Sequence, residues 1–172
     1  MQALIQFFFE LCLLRRAPQD LPASDWLFRL VLAASFLVGV LAALIAGLPL
    51  ALGVLQSLAQ LALLLTVLYF GLGWLRRPGR FLQAATALLG TGTLLSLLAL
   101  VPIGLLPLEP SGGDGTLAAL LLLALFAWSI VVSGHILRHT LGVTLGQGAA
   151  IAILYELASL VLLGGLFPGT GS

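Results

Sequence analysis

The chain has 172 residues, 61% of them hydrophobic and 8% charged, with a mean hydropathy of +1.21 and a formal net charge of +1. A water-soluble domain carries about a quarter of its residues charged, so most of this surface is expected to face lipid. Near-neutral charge offers no general attraction to nucleic acid, and a single cysteine, Cys12, excludes an internal disulfide and a cysteine-built metal cage.

Residues 1–16 (MQALIQFFFELCLLRR) repeat Leu4, Phe7, Phe8, Leu11 and Leu14 at helical spacing, which predicts a short amphipathic helix. The run is too short to cross a bilayer. Arg15 and Arg16 follow it instead of preceding it, unlike a secretory signal. Two settings fit the helix, the membrane surface or the protein's own spans, and Cys12 is expected to be a buried, inert thiol. Pro18 and Pro22 make a linker up to residue 25, with Ser24 or Asp25 placed to cap the next helix. Residues 1–25 are thus expected to form an N-terminal amphipathic interfacial helix and linker.

Five apolar stretches follow, at about 26–48, 50–75, 81–106, 116–137 and 144–167, with a short tail at 168–172. Each is long enough for a membrane-crossing helix. The expected fold is all-α: a polytopic membrane protein with a bundle of five transmembrane helices. Trp26, Tyr69 and Trp74 suit the membrane interfaces, and Pro102 is expected to kink the third span. Leu105 to Gly115 (LLPLEPSGGDG) reads as the most polar loop of the second half. Arginine placement supports this count. With five spans, all seven arginines fall on the side of the N-terminus, the Arg76–Arg80 loop and the Arg138 loop. The positive-inside rule then puts the N-terminus in the cytoplasm and the C-terminus outside. The absence of lysine and the Leu/Ala/Gly bias suit a GC-rich bacterium, so the expected location is a bacterial inner (cytoplasmic) membrane.

Polar residues inside the spans are the informative ones. Glu156 lies about 18 Å along the fifth span at ~1.5 Å per residue, near mid-depth, where a carboxylate costs about 3 kcal/mol or more. It is expected to be protonated and hydrogen-bonded to Gln60 or a hydroxyl, with Thr91, Thr93 and Ser129 at similar levels. This polar cluster reads either as a clamp between helices or as a relay for protons or cations, the clamp being preferred. His135 and His139 share a helical face, but no third ligand accompanies them, so no metal site is expected. With Arg76, Arg77, Arg80 and Arg138 they are expected to form a cytoplasmic interfacial belt near lipid phosphates. Gly142-x-x-x-Gly146, Gly148-x-x-x-Ala152 and Ala42-x-x-x-Ala46 permit close helix contact, and Gly90-Thr91-Gly92-Thr93 could loosen the third span. The loop at 105–115 lacks the lysine of a phosphate cradle. No nucleophile sits with a base at matching depth, so no catalytic residues, cofactor or enzymatic activity are expected.

The five spans, the cytoplasmic N-terminus, the Leu/Ala/Gly-rich bundle and the stretch His135 to Gly146 (HILRHTLGVTLG) resemble small bacterial members of the Yip1-like membrane proteins over about residues 26–167. That resemblance implies a non-enzymatic integral membrane protein that associates with other membrane proteins and, in eukaryotes, assists vesicle traffic and membrane shaping. The expected function is an accessory or scaffold protein packing against another membrane protein or a second copy. The alternatives are a small transporter or channel built around Glu156 and Gln60, and an intramembrane lipid enzyme with only His135 and His139 to offer.

Overall fold

A computed structural model describes residues 2–105 and 115–166. Their regular elements are all helical: α1 Gln2–Cys12, α2 Asp25–Ile45, α3 Leu50–Trp74, α4 Phe81–Leu105, α5 Gly115–Leu141 and α6 Leu145–Leu166. Single 3-10 turns occupy Pro18–Asp20 and Pro78–Arg80. Five of the helices, α2 to α6, are long and apolar enough to cross a membrane. The polar loop at 106–114 and the tail from 167 lie outside the described residues.

Local chemistry sets most of the boundaries. Ser24 Oγ accepts the Leu27 N–H at 3.4 Å and caps α2. Thr144 and Gln147 form a reciprocal capping box at the start of α6, with bonds of 3.0 and 3.3 Å. Left-handed residues close four helices: Leu14 (φ 61°), Gly47 (φ 83°), Arg76 (φ 56°) and Gly142 (φ 72°). After each, a backbone N–H turns back onto a free carbonyl, such as Arg77 N to Leu72 O at 2.8 Å and Leu48 N to Ala43 O at 2.9 Å.

The fourth span runs further than expected, to Leu141 instead of 137. Arg138 and His139 therefore join His135 on the last two turns of α5 instead of lying in a loop. The extension has a cause at its end. Arg77 Nη1 donates to Leu141 O at 3.0 Å, and Arg80 Nη1 donates to His139 O and Thr140 O at 3.2 and 3.0 Å. These guanidinium groups satisfy carbonyls that a helix C-terminus leaves without partners.

α4 is the axis of the bundle. It packs extensively on α2 and α5, carries α1 on its outer side, and touches α3 more sparsely. Ala84, Ala85, Thr86, Ala87, Gly90 and Thr91 on it are all buried. Residues 90–93 do not loosen the helix. Gly90 is the socket for the Phe8 ring, which the Cβ of any other residue would displace, and Thr91 and Thr93 bond back to Ala87 O and Leu89 O within an unbroken α4.

The first helix packs against the protein. Leu11 is fully buried, with Phe8 and Cys12 beside it in the cluster that includes Ala87, Val132 and Ile136, while Phe9 and Leu13 face outward. The following linker is tied down by Gln83 Nε2 to Leu21 O (2.8 Å) and Gln19 Nε2 to His139 O (3.1 Å).

α5 and α6 approach closely through Gly134 and Gly148. A Cβ on Gly134 would stand 2.8 Å from Ala149 N, and one on Gly148 would meet the Gly134 carbonyl oxygen. Of the three small-residue pairs expected to pack, Gly148 with Ala152 is buried against α5. Gly146 faces open space, Gly142 serves the turn, and Ala46 lies exposed just past the end of α2.

Candidate functional site

Going round the bundle, α3 packs on α2, α2 on α4, α4 on α5 and α5 on α6, and the ring is completed only by a thin contact between α6 and α3. At that seam lies a half-open cavity of about 620 Å³. Its wall is mainly leucine, including Leu61, Leu64, Leu88 and Leu125, because these helices present branched apolar side chains at most inward positions. Into the same space come Gln60 from α3, Thr91 and Thr93 from α4, Ser129 from α5, and Glu156 from α6. The cavity thus gathers all five residues predicted as an intramembrane polar cluster. It adds others that the sequence did not single out, notably Ser35 on α2 and Tyr155 on α6.

The cluster is not knit together as expected. No hydrogen bond joins Glu156 to Gln60 or to any hydroxyl among the described residues; only the Glu156 backbone carbonyl is engaged, by Ser159 Oγ at 2.9 Å. The reason is geometric: α3 and α6 meet too sparsely to bring a carboxyl and an amide into contact, so they line one space from different helices. The hydroxyls mostly serve their own helices, Thr91 on Ala87 O at 2.8 Å and Ser129 on Phe126 O at 2.7 Å.

The helix-to-helix polar clamp exists, but elsewhere. Ser35 Oγ and Thr93 Oγ1 lie 2.6 Å apart, joining α2 to α4. Depth arithmetic could have found it. Ser35 and Thr93 are ten and twelve residues from the starts of their helices, hence at similar levels at ~1.5 Å per residue.

The six residues of the predicted basic belt sit at one end of the bundle but do different work. His135 is 9% exposed, and its Nε2–H donates to the Arg16 carbonyl at 3.0 Å. It is buried and tethers the linker. His139 stacks edge-on against it with ring centroids 4.6 Å apart, and no group of three potential metal ligands occurs among the described residues. Arg77 and Arg80 cap α5 as described, whereas Arg76 and Arg138 are exposed. On α1, Glu10 pairs with Arg16 at 2.8 Å, and that guanidinium holds its carboxyl below the usual carboxylate range.

Beside this basic end, Tyr69, Phe70, Trp74 and Phe81 form an exposed aromatic group, Tyr69 and Phe81 meeting edge to face at 5.8 Å. The group fits the aromatic anchor expected at this end of the second span.

Comparison with known proteins finds no family model, no curated protein and no solved structure that matches this chain.

Proposed function

We propose that this chain is a multi-pass protein of a bacterial cytoplasmic membrane, N-terminus inside and C-terminus outside, that binds and passes a small, largely apolar molecule through the cavity between α3 and α6. The observation that carries the reading is the cavity itself. Its volume falls in the range of small-molecule sites, and its apolar wall with a few convergent polar groups is the usual make-up of one. In lipid, polar side chains kept at mid-helix are costly and generally belong to a pathway or site. The lining offers a carboxyl, a phenol, an amide and hydroxyls, without an imidazole or thiol to activate a nucleophile. Binding and passage are therefore proposed instead of turnover.

The test uses a neutral, lipophilic diazirine probe in nanodiscs, with labelled residues mapped by mass spectrometry. Cavity positions such as Leu88 and Leu125 should be labelled well above outward positions such as Leu160 and Val161. Gly92→Trp, at a cavity position where a Cβ meets nothing, should suppress cavity labelling without disturbing the outward set. Uniform labelling of both sets in the native protein would refute the reading.

A second reading, the accessory or scaffold protein that the Yip1-like resemblance implies, draws support from Gly73, Gly164 and Gly165. All three are exposed on α3 and α6, and a Cβ added at any of them would meet nothing within 4 Å. Glycine on a lipid-facing surface permits another helix to approach closely. Cysteine at residue 164 should then crosslink to a second copy or a partner helix. A protein that stays monomeric and uncrosslinked in nanodiscs would remove that reading.

A further inference from the structure

Resting on the cavity reading above, we infer that the preferred ligand is a lipophilic ammonium ion, with the Glu156 carboxylate as its counter-charge and a proton as the competing occupant. Three features of the lining point this way.

The first is charge. Glu156 is the one acidic residue in the lining, and the cavity contains no arginine or histidine. Helices α2, α3, α4 and α5 contribute serine, threonine, one glutamine and apolar groups, none of them charged or titratable; the only other titratable group is Tyr155 on α6 itself. The one salt bridge among the described residues joins Glu10 on α1 to Arg16 in the following linker, away from the cavity lining. An unpaired carboxylate away from water is strongly disfavoured, so the site is neutralised either by a proton or by a bound cation. Exchange of one for the other leaves the cavity neutral in both states. An anion finds no positive charge here, and a neutral molecule makes no use of the carboxylate.

The second is hydrogen-bonding polarity. Four of the seven serine and threonine hydroxyls in the lining spend their protons within the protein. Thr91 and Ser129 donate to backbone carbonyls. Ser35 and Thr93 have two protons between them, and their mutual contact and the carbonyls of Val31 and Leu89 absorb both. A hydroxyl with its proton committed presents only lone pairs, which favours a ligand that donates N–H bonds.

The third is the wall. Phe126 and Tyr155 add aromatic rings to the leucines, and the face of such a ring attracts a cation desolvated against it.

The experiment compares three probes sharing one naphthalene ring: 1-naphthylmethylammonium, 1-naphthalenemethanol and 1-naphthylacetate. Binding to the full chain is measured in phosphatidylcholine nanodiscs, corrected for empty discs. The ammonium should bind about tenfold or more tighter than the alcohol, as expected for one desolvated charge pair, and the acetate should not bind. Glu156→Gln should bring ammonium and alcohol to within a few-fold of each other, while Glu156→Asp should keep part of the preference; unchanged thermal melting shows that each variant is folded. Ammonium affinity should weaken as pH falls and the proton wins the carboxyl. Where the empty site is protonated, binding should release one proton per cation, a stoichiometry that a merely structural carboxyl would not produce. Equal affinity for ammonium and alcohol in the native protein, or a preference that survives Glu156→Gln, overturns the ligand class and leaves the cavity reading standing. Binding of none of the three, together with uniform diazirine labelling, overturns both.

Discussion

Gly134→Ala gives the sharpest test of how α5 and α6 are held. Its new methyl would stand 2.8 Å from Ala149 N, 2.9 Å from Ala149 Cα and 3.1 Å from Ala149 Cβ, where ordinary contact begins at 3.4 Å. Two of the three obstacles are backbone, so no rotamer change relieves them and α6 must draw back by roughly half an ångström. Overpacking of this kind costs about 1–3 kcal/mol, and with rigid neighbours the upper half of that range applies. Replacing glycine inside a helix returns about 0.5–1 kcal/mol of propensity, leaving a net loss of about 1–2 kcal/mol. Gly164→Ala on α6 is the control, because a Cβ there meets nothing and only the propensity gain remains. Reversible unfolding by steric trapping or denaturant titration in mixed micelles should therefore separate the two variants by about 2–3 kcal/mol. Adding Ala149→Gly to Gly134→Ala should recover only a minor part, since it removes one obstacle of three. If Gly134→Ala proved as stable as Gly164→Ala, the close approach of these helices would be refuted.

Four further outcomes follow from the helix ends and the docked first helix. Arg76→Gly should stabilise the protein by about 1 kcal/mol in the same unfolding assay, because Arg76 holds a left-handed conformation (φ 56°) that costs a side-chain-bearing residue about that much. Arg80→Ala removes both bonds to the last carbonyls of α5 and should cost about 1–2 kcal/mol, with faster hydrogen exchange confined to the α5 end; Arg80→Lys should recover only part, because an ammonium lacks the guanidinium fork. Gly90→Val should expel Phe8 from its socket at about 1–3 kcal/mol and speed maleimide labelling of Cys12 roughly tenfold or more. In the native protein, burial pushes the Cys12 thiol up to about 11 from its ordinary 9.0. The folded state thus holds this proton more tightly than the unfolded one, so its contribution to stability is intact below pH 9 and declines as pH rises from 9 toward 11; equal labelling kinetics of folded and unfolded chains across that range would contradict the burial.

Much of the architecture is legible in the sequence because it depends on signals that do not need tertiary information. Length and hydropathy mark out the five long helices, and Pro-Gly, Leu-Pro and Ser-Asp place their breaks to within a few residues. The end of α5 lies four residues beyond its expected place because Arg138 and His139 look like loop residues. Their helix is sustained by Arg77 and Arg80 from a segment some sixty residues earlier, a cause no local window contains. By contrast, the capping box Thr144-Leu-Gly-Gln147 is a purely local signal that hydropathy alone passes over. The cavity residues are found by depth alone, which is why the right side chains are gathered while their bonding is not. Depth says which residues share a level. It does not say which helices touch there, and the thin meeting of α3 with α6 decides that Glu156 faces a space and not a partner.

That distinction follows from how helices choose neighbours when every face is apolar. In water the buried side of a helix is its greasy side; among five comparably apolar helices, hydropathy cannot tell the axis of the bundle from its rim. Size can. The first half of α4 carries Ala84, Ala85, Thr86, Ala87 and Gly90 where its neighbours close in. α3 and α6 present long runs of exposed leucine, among them Leu55, Leu58, Leu154, Leu157 and Leu160. Small side chains let backbones approach and threonine hydroxyls return to their own carbonyls, so α4 can be surrounded on several sides without stranding a polar group. On the facing sides, large side chains such as Leu61 and Leu64 of α3 and Ile151 and Tyr155 of α6 hold these two helices apart, and a space is left between them. The same rule that puts α4 at the centre therefore opens the cavity opposite it, and it makes a definite demand on sequence: replacing Ala87 and Gly90 by leucine should displace α1 from α4, whereas a leucine at an outward position of α6 such as Ala158 should leave the bundle and its cavity unchanged.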